Sequence, residues 1–369
     1  MNPLALNDTQ RCNTCVLPVT TNVTFSEGTC AVCHDELDPH FFTPKAELLD
    51  RIIEEIRERG KGKPYDCLVG VSGGRDSTYL LHTLVTKHGL RCLAAYYRTP
   101  FTLQVIDDNV RRMTQKLNVP LLEMDISRDN HRKLARVFVQ LWKKKPTPTL
   151  ANLSCAPCKL VNREVFHLAK KHKIPTIVFG GNKYEWVPFL PSAMKAVSGD
   201  PEKNYGFKRQ INRAFSLIKK GIGLLRQNAA VWRYIPIGIQ SSLMYINPHT
   251  AYLRMRYPQI KAVEFFHYSG WDETECNQAL DAVGWVLPPG CNSRWKADCT
   301  FGEIKNYMFR SMMGATYLDA FLSNMVRAGV LERDEAMARI QTEGQLSMER
   351  IEQACEIMDL PAGEVFPPI

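Results

Sequence analysis

The sequence predicts an α/β protein built on a doubly wound parallel sheet, with an N-terminal zinc-ribbon-like head and a helical C-terminal region. From residue 66 onwards, short apolar runs alternate with longer segments of helical periodicity, which is the pattern of βα units. Two CxxC pairs lie within the first 40 residues, and helical periodicity returns beyond residue 316. A chain of 369 residues can bury a large core.

Composition narrows the class of protein. The apolar content of 45% and charged content of 23% are typical of a globular chain. No stretch approaches the roughly 20 apolar residues of a membrane span. The N-terminus is polar and lacks the apolar region of a signal peptide, so we expect a cytoplasmic protein that does not bind membranes. The twelve cysteines then indicate metal binding or catalysis more than disulfides.

The formal net charge of +9 favours anionic ligands such as nucleotides, sugar nucleotides or RNA. The basic clusters, for example residues 143–145, are typical of solvated helix faces. A nucleic-acid footprint usually shows a higher pI and a clearer basic stripe, so RNA is the less favoured partner.

The first 40 residues form the predicted metal-binding head. Two CxxC pairs separated by fourteen residues match a tetrahedral site of four thiolates, in which each pair places two sulfurs on one ion. Four thiolates leave no open position, so the expected Zn²⁺ is structural rather than catalytic. The predicted ligands are Cys12, Cys15, Cys30 and Cys33.

A linker, residues 41–64, follows the head and contains a helix over residues 44–59 with apolar residues on one face. Residues 65–190 are the predicted nucleotide-binding domain. Its strands are expected at 66–71, 92–97, 120–124 and 175–179, and its helices at 77–88, 103–117, 131–142 and 159–173. In such parallel sheets, ligands bind beyond the carboxyl ends of the strands. The last of these strands ends in Gly180 and Gly181, which we expect to line the wall opposite the first strand.

Residues 191–315 are interpreted as a substrate-binding extension, and residues 316–369 as a helical tail. The extension contains a helical pattern over 211–231, a candidate strand over 260–266 and a helix to residue 283 with Asp272 as its N-cap. The tail is predicted to form helices over 316–328, 333–342 and 347–358.

The strongest functional motif is the sequence SGGRDS at residues 72–77, between the first strand of the sheet and a helix. Glycines at such a junction accept positive φ and expose backbone N–H groups to an anion, and the helix N-terminus adds partial positive charge. The motif is neither a Walker A loop nor the GxGxxG dinucleotide turn. The backbone and hydroxyl donors expected to hold phosphate are Ser72, Gly73, Gly74 and Ser77. Asp76 is expected to bind Mg²⁺ or to orient one of these donors.

This loop resembles the SGGxDS loop of the PP-loop ATP pyrophosphatases, which cleave ATP to AMP and pyrophosphate while adenylating a substrate. Together with RCNTCVLP at 11–18, GTCAVC at 28–33 and YDC at 65–67, it is similar to the bacterial N-acetyl-sugar amidotransferase family of surface-polysaccharide synthesis. The resemblance extends over about residues 11–125. It implies an adenine nucleotide α-hydrolase-like fold, with ATP and Mg²⁺ bound by residues 72–77 and zinc bound by the head.

The same resemblance implies the reaction. An acetamido oxygen of a sugar or sugar nucleotide would be adenylated and then replaced by nitrogen from ammonia. No glutaminase signature occurs in the sequence, so ammonia is expected from a separate glutaminase and synthase-like pair or from solution.

A further CxxC, Cys155 and Cys158, departs from that family pattern. It resembles the CxxC of PP-loop tRNA thiolation enzymes, which helps to bind a catalytic 4Fe–4S cluster with a third, distant cysteine. Cys299 and Cys291 are the candidates for the third ligand here. A cluster, a second zinc site and a simple pair of thiols remain open. The alternative function is therefore sulfur transfer through the same adenylate, with Asp76, Ser77, Cys155 and Cys158 as the candidate catalytic residues.

Overall fold

The computed structural model describes residues 10–190 and 247–367, apart from 39 and 125, and the isolated positions 236, 240 and 244. The helix expected over residues 211–231 lies outside the described residues. Among the described helices, none is long and apolar enough to cross a membrane.

The head contains a two-stranded antiparallel hairpin, β1 (Phe25–Ser26) and β2 (Thr29–Cys30). Its two turn residues, Glu27 and Gly28, have φ values of 49° and 79°. Two successive left-handed residues are the requirement of a tight two-residue hairpin turn, which glycine satisfies at little cost. The turn thereby brings the second CxxC pair back beside the first.

The central sheet has five parallel strands in the order β5-β4-β3-β6-β7, which confirms the predicted fold class. The strands are β3 (Cys67–Val71), β4 (Cys92–Tyr96), β5 (Leu121–Glu123), β6 (Thr176–Phe179) and β7 (Lys261–Glu264). The chain winds outward from β3 in one direction through β4 and β5, then in the other direction through β6 and β7. The point of reversal lies at the carboxyl end of β3, where open α/β sheets bind ligands.

The strand expected over residues 260–266 is the edge strand β7. The sheet therefore takes its fifth strand from the segment that the sequence assigned to the substrate-binding extension.

Nine of the described α-helices lie close to their predicted positions, and five more, over residues 148–153, 251–256, 266–269, 301–313 and 362–365, were not predicted. All fourteen follow in chain order. They are α1 (Leu49–Gly60), α2 (Arg75–Thr86), α3 (Gln104–Lys116), α4 (Arg128–Lys144), α5 (Pro148–Leu153), α6 (Val161–Lys171), α7 (Ala251–Arg256), α8 (Phe266–Ser269), α9 (Glu273–Val283), α10 (Phe301–Met313), α11 (Tyr317–Arg327), α12 (Arg333–Glu343), α13 (Met348–Ile357) and α14 (Ala362–Val365). Side-chain caps fix several of their starts: Asp272 accepts the Glu275 amide at 2.8 Å, and Ser347 accepts the Arg350 amide at 3.3 Å.

Helices cover both faces of the sheet. Consecutive residues of β3 alternate between them, so Leu68 lies in one apolar cluster with residues of α6, whereas Val69 lies in another with residues of α1, α2 and α9. Cys67 and Cys92 are buried on neighbouring strands. A third apolar cluster joins the head to α4, α5 and the C-terminal helices.

Candidate nucleotide and metal sites

The loop of residues 72–77 lies at the point where the strand order reverses, between β3 and α2. Gly73 has a φ of 81°, and a Cβ there would lie 2.6 Å from Cγ2 of Ile106, so only glycine fits. The Ser72 and Gly74 amides donate to Ser77 Oγ and Ser72 Oγ, both at 3.2 Å. These contacts preform a turn with hydroxyl and amide groups at the start of a helix, as an anion site requires.

Asp76 lies in the first turn of α2 and is oriented by two donors. Its Oδ1 accepts from Arg75 Nε at 2.9 Å and from Trp271 Nε1 at 3.1 Å. Burial raises the pKa of the Asp76 carboxyl, and the Arg75 charge opposes that rise. Trp271 is itself buried, so the indole that bonds to this carboxylate is fixed by packing.

Arg75 stabilises the loop from a buried position, a role that the sequence alone does not reveal. Its side chain is 4% exposed, pairs with Glu273 Oε1 at 3.1 Å and lies 4.6 Å from the centroid of the Trp271 ring. Glu273 also accepts from Arg339 Nη1 at 2.7 Å, which links the loop to α12. The orientation of Asp76 therefore depends on residues of α9 and α12.

The loop opens into a cavity of about 480 Å³. The cavity spans the carboxyl ends of β3 and β6, and the segment before α10 forms its opposite wall. Its lining includes Ser72, Gly74, Asp76, Ser77, Gly180, Cys155, Cys158, Lys296, Asp298, Cys299 and Lys305. Gly180 thus faces the loop as expected, whereas Gly181 is not among the lining residues and donates its amide to Glu264 Oε2 at 3.3 Å. A space of this size is ordinary for a small-ligand site.

Asp298 lines this cavity as well, and the sequence analysis did not identify it. A Cβ on Gly74 would lie 2.9 Å from Asp298 Cγ, so the carboxyl contacts the loop backbone directly. Burial raises the pKa of Asp298, a hydrogen bond from Ser72 opposes this, and the Asp76 charge adds to the rise. The cavity therefore places Asp76 and Asp298 beside the loop of residues 72–77, carboxylates of the kind that Mg²⁺ uses when it also binds phosphate. A third lining carboxylate, Glu185, pairs with Lys296 at 3.5 Å.

The four head cysteines form the compact group that their spacing predicts, because their sulfurs all lie within 4.8 Å of one another. The Cys12–Cys33 and Cys15–Cys30 sulfurs are 4.0 and 3.8 Å apart. Thiolates on one tetrahedral zinc are separated by about 3.8 Å, from a Zn–S distance of about 2.3 Å. The arrangement therefore fits a single closed ion.

The charge of such a site is offset by the C-terminal helices. Arg327 of α11 donates to the sulfurs of Cys15, Cys30 and Cys33 at 3.1, 3.4 and 3.3 Å. Arg333 of α12 donates to the Cys12 carbonyl at 3.1 Å. Four thiolates and one Zn²⁺ carry a net negative charge, which these guanidinium groups neutralise.

The remaining candidate cysteines separate into two places. Cys155, Cys158 and Cys299 line the same cavity as the loop of residues 72–77. Cys291 instead lies against Arg350 Nη1 at 2.7 Å and lines a different, smaller cavity. Burial raises the pKa of the Cys299 thiol to about 12, with Cys155 adding to the rise.

No protein-family model matches the chain. Over 188 residues, the chain is 24% identical to an uncharacterized protein of Methanocaldococcus jannaschii, covering 50% of this chain and 62% of that protein. The match therefore spans less than two thirds of the curated relative.

Three solved structures share limited similarity with the chain. An NMN synthetase from Francisella tularensis has 10% identity and a TM-score of 0.33, over 88% of this chain and 94% of that one. An NH3-dependent NAD synthetase from Campylobacter jejuni has 16% identity and a TM-score of 0.27, over 56% and 92%. A U34-tRNA thiolase from Methanococcus maripaludis, solved with its 4Fe–4S cluster, has 11% identity and a TM-score of 0.32, over 96% and 99%. Similarities at these TM-scores support no conclusion about fold or function. The fold assignment rests on the sheet itself, and any functional proposal rests on the cavity.

Proposed function

We propose that this chain is a PP-loop ATP pyrophosphatase-type enzyme, an amidotransferase that adenylates an acetamido oxygen of a sugar or sugar nucleotide and replaces it with nitrogen. The observation that carries the proposal is the preformed loop of residues 72–77, opening with Asp76 and Asp298 into one cavity at the reversal point of a parallel sheet. The family named in this proposal rests on the sequence resemblance of the loop and the head to the N-acetyl-sugar amidotransferases.

In this proposal the loop holds the β- and γ-phosphates of ATP. The amides and hydroxyls of residues 72–77, with the N-terminus of α2, would stabilise the negative charge that builds on pyrophosphate as it leaves. Mg²⁺, held by Asp76 and Asp298, would neutralise part of that charge when bound. Lys296 and Lys305 on the facing wall suit the acceptor's phosphate groups or the α-phosphate.

The chemistry then has two half-reactions. The acceptor oxygen attacks the α-phosphorus, the bond to the bridging oxygen breaks, and pyrophosphate leaves. Ammonia adds to the activated carbon and loses a proton, and AMP departs with the original oxygen. The product carries nitrogen where the acceptor carried oxygen.

Sulfur transfer is the second candidate, and one observation favours it. Three thiols, those of Cys155, Cys158 and Cys299, line the same cavity as the nucleotide loop. A sulfur nucleophile delivered there would meet the same adenylate, and the first half-reaction would not change.

The test is a screen for AMP and pyrophosphate with acetamido sugars, their nucleoside diphosphate derivatives and an RNA pool, with ammonium and sulfide supplied in separate reactions. We expect AMP and pyrophosphate in equal amounts with an acetamido sugar nucleotide, and a product in which NH replaces oxygen by mass spectrometry. Formation of ADP and phosphate with every acceptor would overturn the proposal. Incorporation of sulfur alone would select the second candidate.

Asp298 provides an independent prediction. Asp298→Asn removes one carboxylate charge beside the loop while keeping its shape, so we expect the Mg²⁺ concentration for half-maximal AMP formation to rise by about 10- to 100-fold, as for other residues that support a metal site. The control is Asp281→Asn, whose side chain is exposed on α9 and pairs with Arg294. An unchanged Mg²⁺ requirement in Asp298→Asn would remove this residue from the site.

A further inference from the structure

His131 lies beside the CxxC pair of Cys155 and Cys158, although Cys158 is 27 positions further along the chain. A ring nitrogen of His131 and the sulfurs of Cys155 and Cys158 all lie within 4.8 Å of one another. The Cys155 and Cys158 sulfurs are 3.3 Å apart, and His131 Nε2 is 3.5 Å from the Cys158 sulfur. These are three metal-binding donors gathered at one point.

The position of each donor is set by local structure. His131 lies in the first turns of α4 and is 1% exposed. The two cysteines flank Pro157 in a 3-10 turn that runs directly into α6. Such a turn places both sulfurs of a CxxC on the same side, as metal-binding CxxC pairs require.

The second ring nitrogen of His131 already has a partner. His131 Nδ1 lies 3.0 Å from the hydroxyl of Tyr97, which follows β4. When Nδ1 donates its proton to the Tyr97 oxygen, Nε2 keeps a lone pair that faces the two sulfurs. Histidine ligands of metals are oriented in this way by a hydrogen bond on the other nitrogen.

The spacing distinguishes one ion from a cluster. For a tetrahedral zinc with Zn–S near 2.3 Å and Zn–N near 2.0 Å, sulfur and nitrogen lie about 3.5 Å apart and two sulfurs about 3.8 Å apart. The distance of 3.5 Å between His131 Nε2 and the Cys158 sulfur matches the first value, and the two sulfurs, 3.3 Å apart, lie closer together than the second. In a cluster each thiolate binds a different iron, which spreads the sulfurs further apart than two ligands of one ion. Cys299 lines the same cavity but does not belong to this compact group.

We propose that His131, Cys155 and Cys158 hold one zinc-like divalent ion whose fourth position opens into the nucleotide cavity. Thiolate and imidazole donors together suit zinc. Both cysteines line the cavity, so the open position faces it. This arrangement is that of a catalytic ion, in contrast to the closed four-thiolate head, and its external ligand would be a small nucleophile such as ammonia or sulfide. The site stands on its own geometry and does not depend on the proposed adenylation.

The test counts metal in the full-length protein and needs no turnover. We expect about two zinc equivalents per wild-type chain and about one in both His131→Ala and Cys158→Ser, as one structural and one open site require. His167→Ala, an exposed histidine on α6, is the matched control and should retain both equivalents.

X-ray absorption of the wild-type protein provides a test that does not depend on whether a variant folds. We expect a nitrogen scatterer at the zinc edge, which His131→Ala should lack. One zinc per wild-type chain, sulfur-only coordination, full zinc retention in His131→Ala, or about four irons with inorganic sulfide would each overturn the proposal. The AMP screen is scored separately, so failure of either proposal leaves the other intact.

Discussion

Asp76→Asn is expected to reduce pyrophosphate release by about 100- to 1,000-fold, the loss found when one preorganised charge-stabilising group is removed from an active site. Asparagine has nearly the same shape, and its Oδ1 still accepts from Arg75 Nε and Trp271 Nε1, which bond the carboxylate at 2.9 and 3.1 Å. The fold should therefore persist while the charge is lost. The measurement is pyrophosphate release at saturating ATP.

Alanine at this position is a less informative change. It leaves the buried Arg75 Nε and Trp271 Nε1 donors without the acceptor that asparagine would still provide, and unsatisfied buried donors cost stability. Comparison of the two variants separates the role in catalysis from the role in stability: both should lose activity, but only Asp76→Ala should also melt at a lower temperature. Wild-type rates in Asp76→Asn would remove this carboxylate from the reaction.

Cys12→Ser is expected to release the metal of the head and to lower the melting temperature sharply. A structural zinc supplies about 10–16 kcal/mol in small peptides, and the head has little core of its own. The effect should spread, because Cys12, Cys15 and Cys30 belong to an apolar cluster that includes residues of α4, α10 and α13. Zinc content and thermal denaturation are the measurements.

Cys355→Ser is the matched control, since Cys355 is also completely buried in that cluster but lies outside both groups of metal-binding side chains. It should lower stability modestly and keep its metal. A well-folded Cys12→Ser protein that has lost the head ion but keeps an unchanged melting temperature would contradict a structural role for that ion.

Local patterns predict the sheet well. The buried parallel strands appear in the sequence as short apolar runs bounded by helices, and even the edge strand β7 lies within its expected range. The start of α9 at residue 273 was predictable because Asp272 caps it through a local hydrogen bond. The CxxC spacing likewise predicts the head, because those four ligands are close in sequence.

The candidate site was predictable only in part. Ser72 to Ser77 stand out because the motif is continuous, whereas Asp298 and His131 reach their neighbours through tertiary contacts that leave no local pattern. For Asp298, the sequence offered one indication, the polar run of residues 291–299 between α9 and α10, which combines cysteines, a lysine and an aspartate. The role of Arg75 could not be predicted for the same reason, since its partner Glu273 lies 198 positions away.

Arg75 and the loop of residues 72–77 are held by residues that are synthesised much later in the chain. Glu273 and Trp271, which hold the loop, are translated long after β3 and α2, and Arg339 follows later still. Domains fold from the N-terminus first during synthesis, so the early half can form its strands while the loop of residues 72–77 still lacks these contacts. A nascent chain stalled on the ribosome before α9 should therefore bind nucleotide poorly, and competence should arrive only when the last helices emerge.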